Sequence, residues 1–434
     1  MTAAVGYREL IGRNRSFRLL WLGTLVSLFG DWFNTITLYA LVTKLTGSPL
    51  AVGLVEFLKL GGFAAASIPG GILADRVDRR RLMIACDLLR AAIVPCYLLI
   101  TSADDVPLLY VLIVLQIGLG AVFDPAYRAI LPNLVSADEL LTANTILAAT
   151  WSTILAVGAS LGGLLTVVLG SDAVFLINSV TYLGSAACLL ALRERALPLP
   201  SSADGAIPTT TSPRGHATMT LARLRPTRLL AIAYADLRDG LRYLRQHRDV
   251  FRLALAKTAW ALGGSALVYF LTQLGPKLEP DDVALGIGIL YSARGLGTGI
   301  GPLLARRYIP RSAWLSVTGL MVAASGLVYA TLGLLPLTFF IVVPIVIAHS
   351  ASGANWVLST VLLQERVPDH MRGRVFSAEL MVLTGVEAVV ILGAAALLEA
   401  NVMTLATGII AFASLQFVSG LAYTRWLTRG FSGG

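Results

Sequence analysis

The chain has 434 residues, of which 56% are hydrophobic and only 14% charged, and its mean hydropathy is +0.75. Soluble domains carry about 25% charged residues, so this chain lacks the polar surface to cover itself in water, and a string of soluble domains is excluded. The net charge of +9 is carried almost wholly by arginine, in loops rather than in a nucleic-acid-binding patch, and no nucleic acid is expected as a partner. Cys86, Cys96 and Cys188 all fall inside apolar runs, so neither a disulfide nor a metal site is expected.

About 20 apolar residues suffice to cross a bilayer as a helix. Apolar runs bounded by charges, Gly or Pro predict twelve such spans, at 19–42, 51–73, 82–101, 106–127, 145–169, 173–192, 252–276, 283–305, 312–332, 336–361, 375–398 and 403–424. The first is too long for a cleaved signal peptide and is expected to remain as a span. The spans divide the chain into an N-terminal six-helix bundle (1–192), a cytoplasmic connector (193–251) and a C-terminal six-helix bundle (252–434). Within the connector, 196–219 is rich in Pro, Ser, Thr and Gly and reads as a flexible linker. Residues 227–248 set Leu229, Leu230, Ala233, Leu237, Leu241 and Leu244 at helical spacing against Arg228, Arg238, Arg242, Arg245 and Arg248. That pattern predicts an amphipathic helix resting on the membrane surface.

The loops sort by charge. Twenty-eight basic residues lie on the side of the two termini and the connector, whereas the other side has only Lys44 and Lys277 beside seven acidic groups. The excess of arginine predicts cytoplasmic termini and a multi-pass protein of the bacterial inner membrane. At an offset of 230, Gly71, Leu73, Arg76 and Arg81 meet Gly301, Leu303, Arg306 and Arg311. Both stretches join the second and third spans of a six-span half. Parallel repeats of this kind recur in transporters, with the substrate between the halves at mid-membrane.

The loop Gly71-Ile-Leu-Ala-Asp75-Arg76-Val-Asp78-Arg79-Arg80-Arg81-Leu82 resembles the signature of the major facilitator superfamily. The resemblance covers nearly the whole chain. It implies an all-α polytopic membrane protein of twelve transmembrane helices in two pseudo-symmetric six-helix bundles. It also implies a gating latch in which Asp75 and Arg79 steady one conformation, with Asp124 as the acidic partner and Gly71 allowing close helix contact. Arg76, Asp87 and Arg90 are assigned to the same latch region. Asp78 stands where the family usually has Gly. Further stretches, among them Phe17-Arg-Leu-Leu-Trp21, Asp87-Leu-Leu-Arg90, Leu131-Pro132-Asn133 and Arg372-Gly373-Arg374-Val375, resemble the branch of enterobactin-type and macrolide exporters. Two features depart from the drug/proton antiporters of the family: the fourth span carries Gln116, Gly118 and Gly120 but no Arg, and the fifth keeps Gly158, Gly162 and Gly163 but has no Pro.

A charge at the centre of a spanning helix costs roughly 2.5–3.5 kcal/mol on insertion scales, so each needs a reason. Asp31, Arg294 and Glu387 are central in their spans, Glu56 and Lys59 share a face of the second span, and Lys257 sits a turn and a half into the seventh. These six are the candidate substrate- and proton-coupling residues. Asp31 is weighed against a packing role with Asn34, and Arg294 with Glu387 as a pair. Glu379 is expected at the interface and His349 as a packing histidine. Gly295, Gly297, Gly299 and Gly301 resemble a nucleotide loop but lie inside an apolar span, where small residues serve helix packing.

No Lys follows a Gly, which excludes the phosphate loop of a primary pump, and the four histidines have no metal-like spacing. An enzyme, a cofactor and a bound metal are not expected. The reading is a monomeric secondary transporter that exports small amphiphilic organic molecules, drug- or siderophore-like, against a proton gradient across the lipid bilayer by rocker-switch alternating access. A facilitated uptake carrier or a lipid or lysolipid flippase of the same fold is the alternative.

Overall fold

The computed structural model describes residues 6–192 and 237–431, apart from 137 and 337. Short and long helices follow one another as α1 (Tyr7–Arg13), α2 (Arg15–Thr46), α3 (Pro49–Arg76), α4 (Arg79–Ile93), α5 (Val106–Leu134), α6 (Leu140–Leu169), α7 (Ser171–Leu190), α8 (237–246), α9 (Arg248–Ala254), α10 (Ala256–Leu278), α11 (Val283–Tyr308), α12 (Trp314–Leu332), α13 (Val342–Arg366), α14 (Asp369–Glu399) and α15 (Leu405–Phe431). Twelve helical segments among the described residues are long and apolar enough to cross a membrane, the number predicted. The third is completed by a 3-10 turn at Val94–Leu99, and the seventh is α9 and α10 together, interrupted at Leu255. The linker at 196–219 and the first part of the predicted amphipathic helix, 227–236, lie outside the described residues.

Caps set the span ends, and they lengthen several spans beyond their apolar runs. Asn14 accepts the Phe17 N–H at 2.9 Å to start α2, and Gly47, at φ 61°, ends it in a left-handed turn closed to the Thr43 carbonyl. Ser48 then caps α3, with Pro49 at its first position, where no N–H is needed. Asp78 accepts the Arg81 N–H at 2.7 Å and starts α4 three residues before the predicted 82. The residue that departs from the family signature is thus the helix cap.

The buried side chains fall into unequal cores. Around the end that carries both termini, Leu10, Phe17, Leu20, Met83, Ile130 and Leu189 form one core within the first six spans. A second, separate core holds Leu244, Val250, Leu253, Leu363, Val375 and Leu427 of the connector and last six spans. Toward the opposite, far end the two merge: Ile36, Tyr39, Val55, Leu109, Leu267, Tyr291, Ile391 and Ala395 share a single cluster. Alpha-helix α6 packs along α11 and α3 along α14 across this junction.

Glycine allows backbones to touch where the helices cross. A Cβ at Gly163 would lie 2.5 Å from the Ala284 carbonyl oxygen, at Gly295 2.5 Å from the Ala156 Cα, and at Gly53 2.5 Å from the Ala395 Cβ. Gly297 and Gly301 press against Val346 and Ser350 of α13, so the glycine run of α11 is a packing surface. In the repeated loop, the close contact expected at Gly71 is made by its neighbour: Gly70 abuts Ala121 and Val122, while Gly71 faces open space.

Gly301→Val places a Cβ 1.9 Å from the Ser350 carbonyl oxygen, a backbone atom with little room to yield. Overpacking of this kind costs about 1–3 kcal/mol, so thermal unfolding of the detergent-solubilised variant is expected at a clearly lower temperature, whereas Gly71→Ala should leave it unchanged.

Candidate functional site

The charges predicted inside the membrane form three groups. The first lies wholly within the first six spans. Asp31, near the midpoint of α2, accepts a hydrogen bond from the Tyr182 hydroxyl of α7 and sits 3.9 Å from an Arg90 nitrogen. Arg90 in turn pairs closely with Asp87, one turn before it on α4. Its guanidinium centre lies 4.3 Å from the centroid of the Tyr182 ring and 4.9 Å from that of Phe123, a geometry that favours a cation over aromatic faces. Gln116 of α5 ties the group together. Its carbonyl accepts from Tyr97 at 2.8 Å and from Asn34 at 3.2 Å, and its amide donates to Tyr182 at 3.0 Å. Asp31 therefore turns to Tyr182 and Arg90, and Asn34 turns to Gln116.

Asp87 and Arg90, assigned from the sequence to the latch, thus sit with Asp31 in the bundle interior. Because α4 begins at Arg79, Arg90 lies eleven residues in, roughly 16 Å along the helix at 1.5 Å per residue. The cation missing from the fourth span is supplied by the third. Within this triad, the Asp87 side chain is 0% exposed, Arg90 6% and Asp31 34%; Asp31 is the member that can be reached.

The second group straddles the two halves. Glu56 of α3 accepts hydrogen bonds from Tyr39 of α2 and, at 3.4 Å, from Tyr291 of α11. Lys59 donates to the Tyr39 hydroxyl at 2.8 Å and lies 4.0 Å from Glu56. The Tyr39 and Tyr291 rings are 5.9 Å apart, and Arg294 lies 5.5 Å from the centroid of the Tyr291 ring. Glu387 of α14 is within coulombic reach of Arg294 and Glu56, but no ion pair joins it to Arg294 among the described residues.

The third group is closed on itself. Lys257 and Glu379 pair at 3.0 Å, both nearly fully buried, with the Lys257 nitrogen 4.9 Å from the centroid of the Trp356 ring. Glu379, expected at the interface, is buried because α10 brings a lysine to it. His349 is a packing histidine, bonded through its ring nitrogen to the Tyr329 hydroxyl at 2.6 Å.

Among the described residues, the loop signature engages its own half. Arg79 donates to the carbonyls of Ala74 at 3.2 Å and Ala129 at 2.8 Å, tying the end of α3 to α5. Asp124 pairs at 2.7 Å with Arg128 on its own helix, and Arg76 closes the last turn of α3. The side chain of Asp75 lies outside the described residues.

At the far end the halves are joined by bonds that no motif announced. Glu399, the last residue of α14, accepts from the Ser48 hydroxyl at 2.7 Å and the Leu50 N–H at 3.2 Å, so it adds an anion from one half to the N-terminus of α3 in the other. Tyr269 donates to the Pro49 carbonyl at 2.7 Å, and Ser292 to the Ala156 carbonyl at 2.6 Å. Tyr39, Tyr182 and Tyr291 were likewise not singled out, since a tyrosine in an apolar run is indistinguishable from a membrane anchor until its hydroxyl finds a partner.

The family profile described as Major Facilitator Superfamily matches residues 20–389. Macrolide efflux protein A of Streptococcus pyogenes is 24% identical over 369 residues, 83% of this chain and 84% of that protein. Multidrug efflux pump Tap of Mycolicibacterium fortuitum is 28% identical over 366 residues, 79% of this chain and 80% of that one. The crystal structure of an auto inhibited POT family peptide transporter has the same fold, with a TM-score of 0.71 at 15% identity over 96% of this chain and 97% of its own.

Arg90→Ala strands Asp87 as an unpaired carboxylate in the bundle interior. Removing one partner of a buried pair costs about 3–5 kcal/mol, so a large loss of thermal stability is expected. Asp31→Asn, which leaves Arg90 paired with Asp87, is expected to cost at most about 1 kcal/mol, the scale of one neutral hydrogen bond.

Proposed function

The chain belongs to the Major Facilitator Superfamily, and on that premise we propose that it is a proton-coupled exporter of small amphiphilic organic molecules. It is a membrane transporter and not an enzyme. The observation that carries the proposal is a charge imbalance around the middle of the bundle. Asp31, Asp87, Glu56 and Glu387 face Lys59, Arg90 and Arg294, four carboxylates against three cations. One negative charge is left over. Asp87 is sealed against Arg90, whereas Asp31 is partly exposed and holds Arg90 only at 3.9 Å. A surplus charge in a low-dielectric site is relieved by binding a proton or the positive end of a substrate, and Asp31 is the group at which either arrives.

With the arginine-rich end in the cytoplasm, the separate cores there and the common core at the far end support a reading in which the protein is open to the cytoplasm and closed outside. An amphiphilic molecule enters between the halves, past the partly exposed Trp356 and Asp31. Rocking about the α6–α11 and α3–α14 contacts then opens the outer end. There a proton takes Asp31 and the molecule leaves. The return stroke delivers the proton inward. The efflux proteins named above support export over uptake.

The test is accumulation of a compound panel in efflux-deficient cells, comparing wild type with Asp31→Asn at matched membrane expression, with and without an uncoupler. Wild type is expected to lower accumulation of at least one compound, and both the mutant and the uncoupler to abolish the difference. Normal export by Asp31→Asn would remove Asp31 from the mechanism, and no response to any compound would remove export.

The outer seal has its own test. Spin labels at Lys44→Cys and Val402→Cys flank the contact of Glu399 with the start of α3. Glu399→Ala is expected to move their distance distribution toward longer values, as the outward-open state gains population. Glu399→Gln retains an acceptor but loses the charge-assisted bond, which is about twice as strong as a neutral one, and should shift it less.

A further inference from the structure

The described part of the predicted amphipathic helix does not lie free on the bilayer. Leu237, Leu241 and Leu244 of α8 pack into the terminal core of the last six spans, against Val250, Leu253, Val367 and Val375. Gly240 lets the helix backbone press on α14, where a Cβ would meet the Arg374 carbonyl oxygen at 2.3 Å, and Asp239 pairs with the Arg374 side chain at 3.6 Å. With Asp239 engaged in this way, the opposite face is left strongly basic. Arg238, Arg242 and Arg245 are exposed at i, i+4 and i+7, on one face of the helix, and form no ion pair among the described residues.

Two further observations say what this face meets. Arg238, Arg242 and Arg245 line a groove together with Leu237 and Leu241, so guanidinium groups and apolar side chains share one surface. In α9, which follows α8 directly in the chain, Phe251 stacks edge to face with Trp426 of α15 at 6.1 Å, each 37% exposed, with Arg252 5.3 Å from the centroid of the Trp426 ring. Exposed aromatics beside arginine at the end of a span mark the level of the lipid headgroups. The element that follows α8 thus reaches the level of the headgroups, and the lining of the groove matches a molecule with an anionic head and an apolar stem. A free phosphate would use the arginines and leave the leucines unmatched.

We infer that the α8 groove is a binding site for an anionic phospholipid of the leaflet on the side of the termini. Arg238, Arg242 and Arg245 hold the phosphate, and Leu237 and Leu241 receive the start of the acyl chains. Because α8 is fixed to α14 through Arg374, and α14 also carries Glu379 and Glu387, the lipid is attached to the C-terminal half and not to the connector alone. This site is independent of the transported substrate.

The experiment titrates the purified full-length protein in detergent with phosphatidylglycerol, phosphatidylcholine or inorganic phosphate and follows its thermal unfolding midpoint. Phosphatidylglycerol is expected to raise the midpoint saturably, with an apparent affinity that falls about tenfold or more from 50 to 200 mM salt. The triple variant Arg238→Gln/Arg242→Gln/Arg245→Gln is expected to keep the lipid-free midpoint and lose the rise, and the corresponding triple Lys variant to recover part of it. Direct counting of bound lipid by native mass spectrometry gives a second readout, valid even if the Gln variant is less stable. Equal responses to phosphatidylcholine, an equal response to inorganic phosphate, or phosphatidylglycerol retained by the Gln variant would each overturn the assignment.

Discussion

A carboxylate at mid-membrane must be answered by a cation from within the protein, because lipid offers none. In this molecule that requirement organises the first half. Arg90 stands between a sealed partner, Asp87, and a reachable one, Asp31, and four helices bring Tyr97, Asn34, Tyr182 and Gln116 to fix the arrangement. The pair with Asp87 keeps the arginine in place whatever happens at Asp31. Asp31, held by Arg90 only at 3.9 Å and by the Tyr182 hydroxyl, is the more accessible of the two carboxylates.

The same logic separates the other two groups. Lys257 and Glu379 satisfy one another at the terminal end and bind the seventh span to the eleventh. The tyrosine-rich group around Glu56 is shared across the halves, so its bonds depend on how the halves sit against one another. Tyr291 is the pivot of that sharing, in contact with Trp32, Tyr39 and Glu56 of one half while it belongs to the other.

The architecture was legible in the sequence because lipid imposes a long apolar repeat that composition cannot hide. Span number and the resemblance carried by Gly71–Leu82 needed no geometry. Glu56 with Lys59, and Asp87 with Arg90, were visible as neighbours one turn apart. Their wider partners were not. Arg90 lies two turns past Leu82, where the apolar run begins, and its partners Asp31 and Tyr182 come from α2 and α7. Glu379 was misplaced for want of its partner: Lys257 is over a hundred residues away in sequence and 3.0 Å away in space. Glu399 looked like one more acidic loop residue until the start of α3 met it. Each of these depends on which helices are neighbours, and periodicity within one helix cannot state that.

The junction between α6 and α11 is built from small residues. Its contacts include backbone on backbone, at Gly163, Gly288 and Gly295 against Ala284, Ala159 and Ala156. Interlocked side chains would have to change rotamer for one helix to turn over the other, and every such change adds to the barrier. A surface of glycine and alanine lets the two backbones roll as plain cylinders in a bearing. The bulk of the residues at these positions therefore sets how closely the two backbones can lie, independently of the charged groups at the centre.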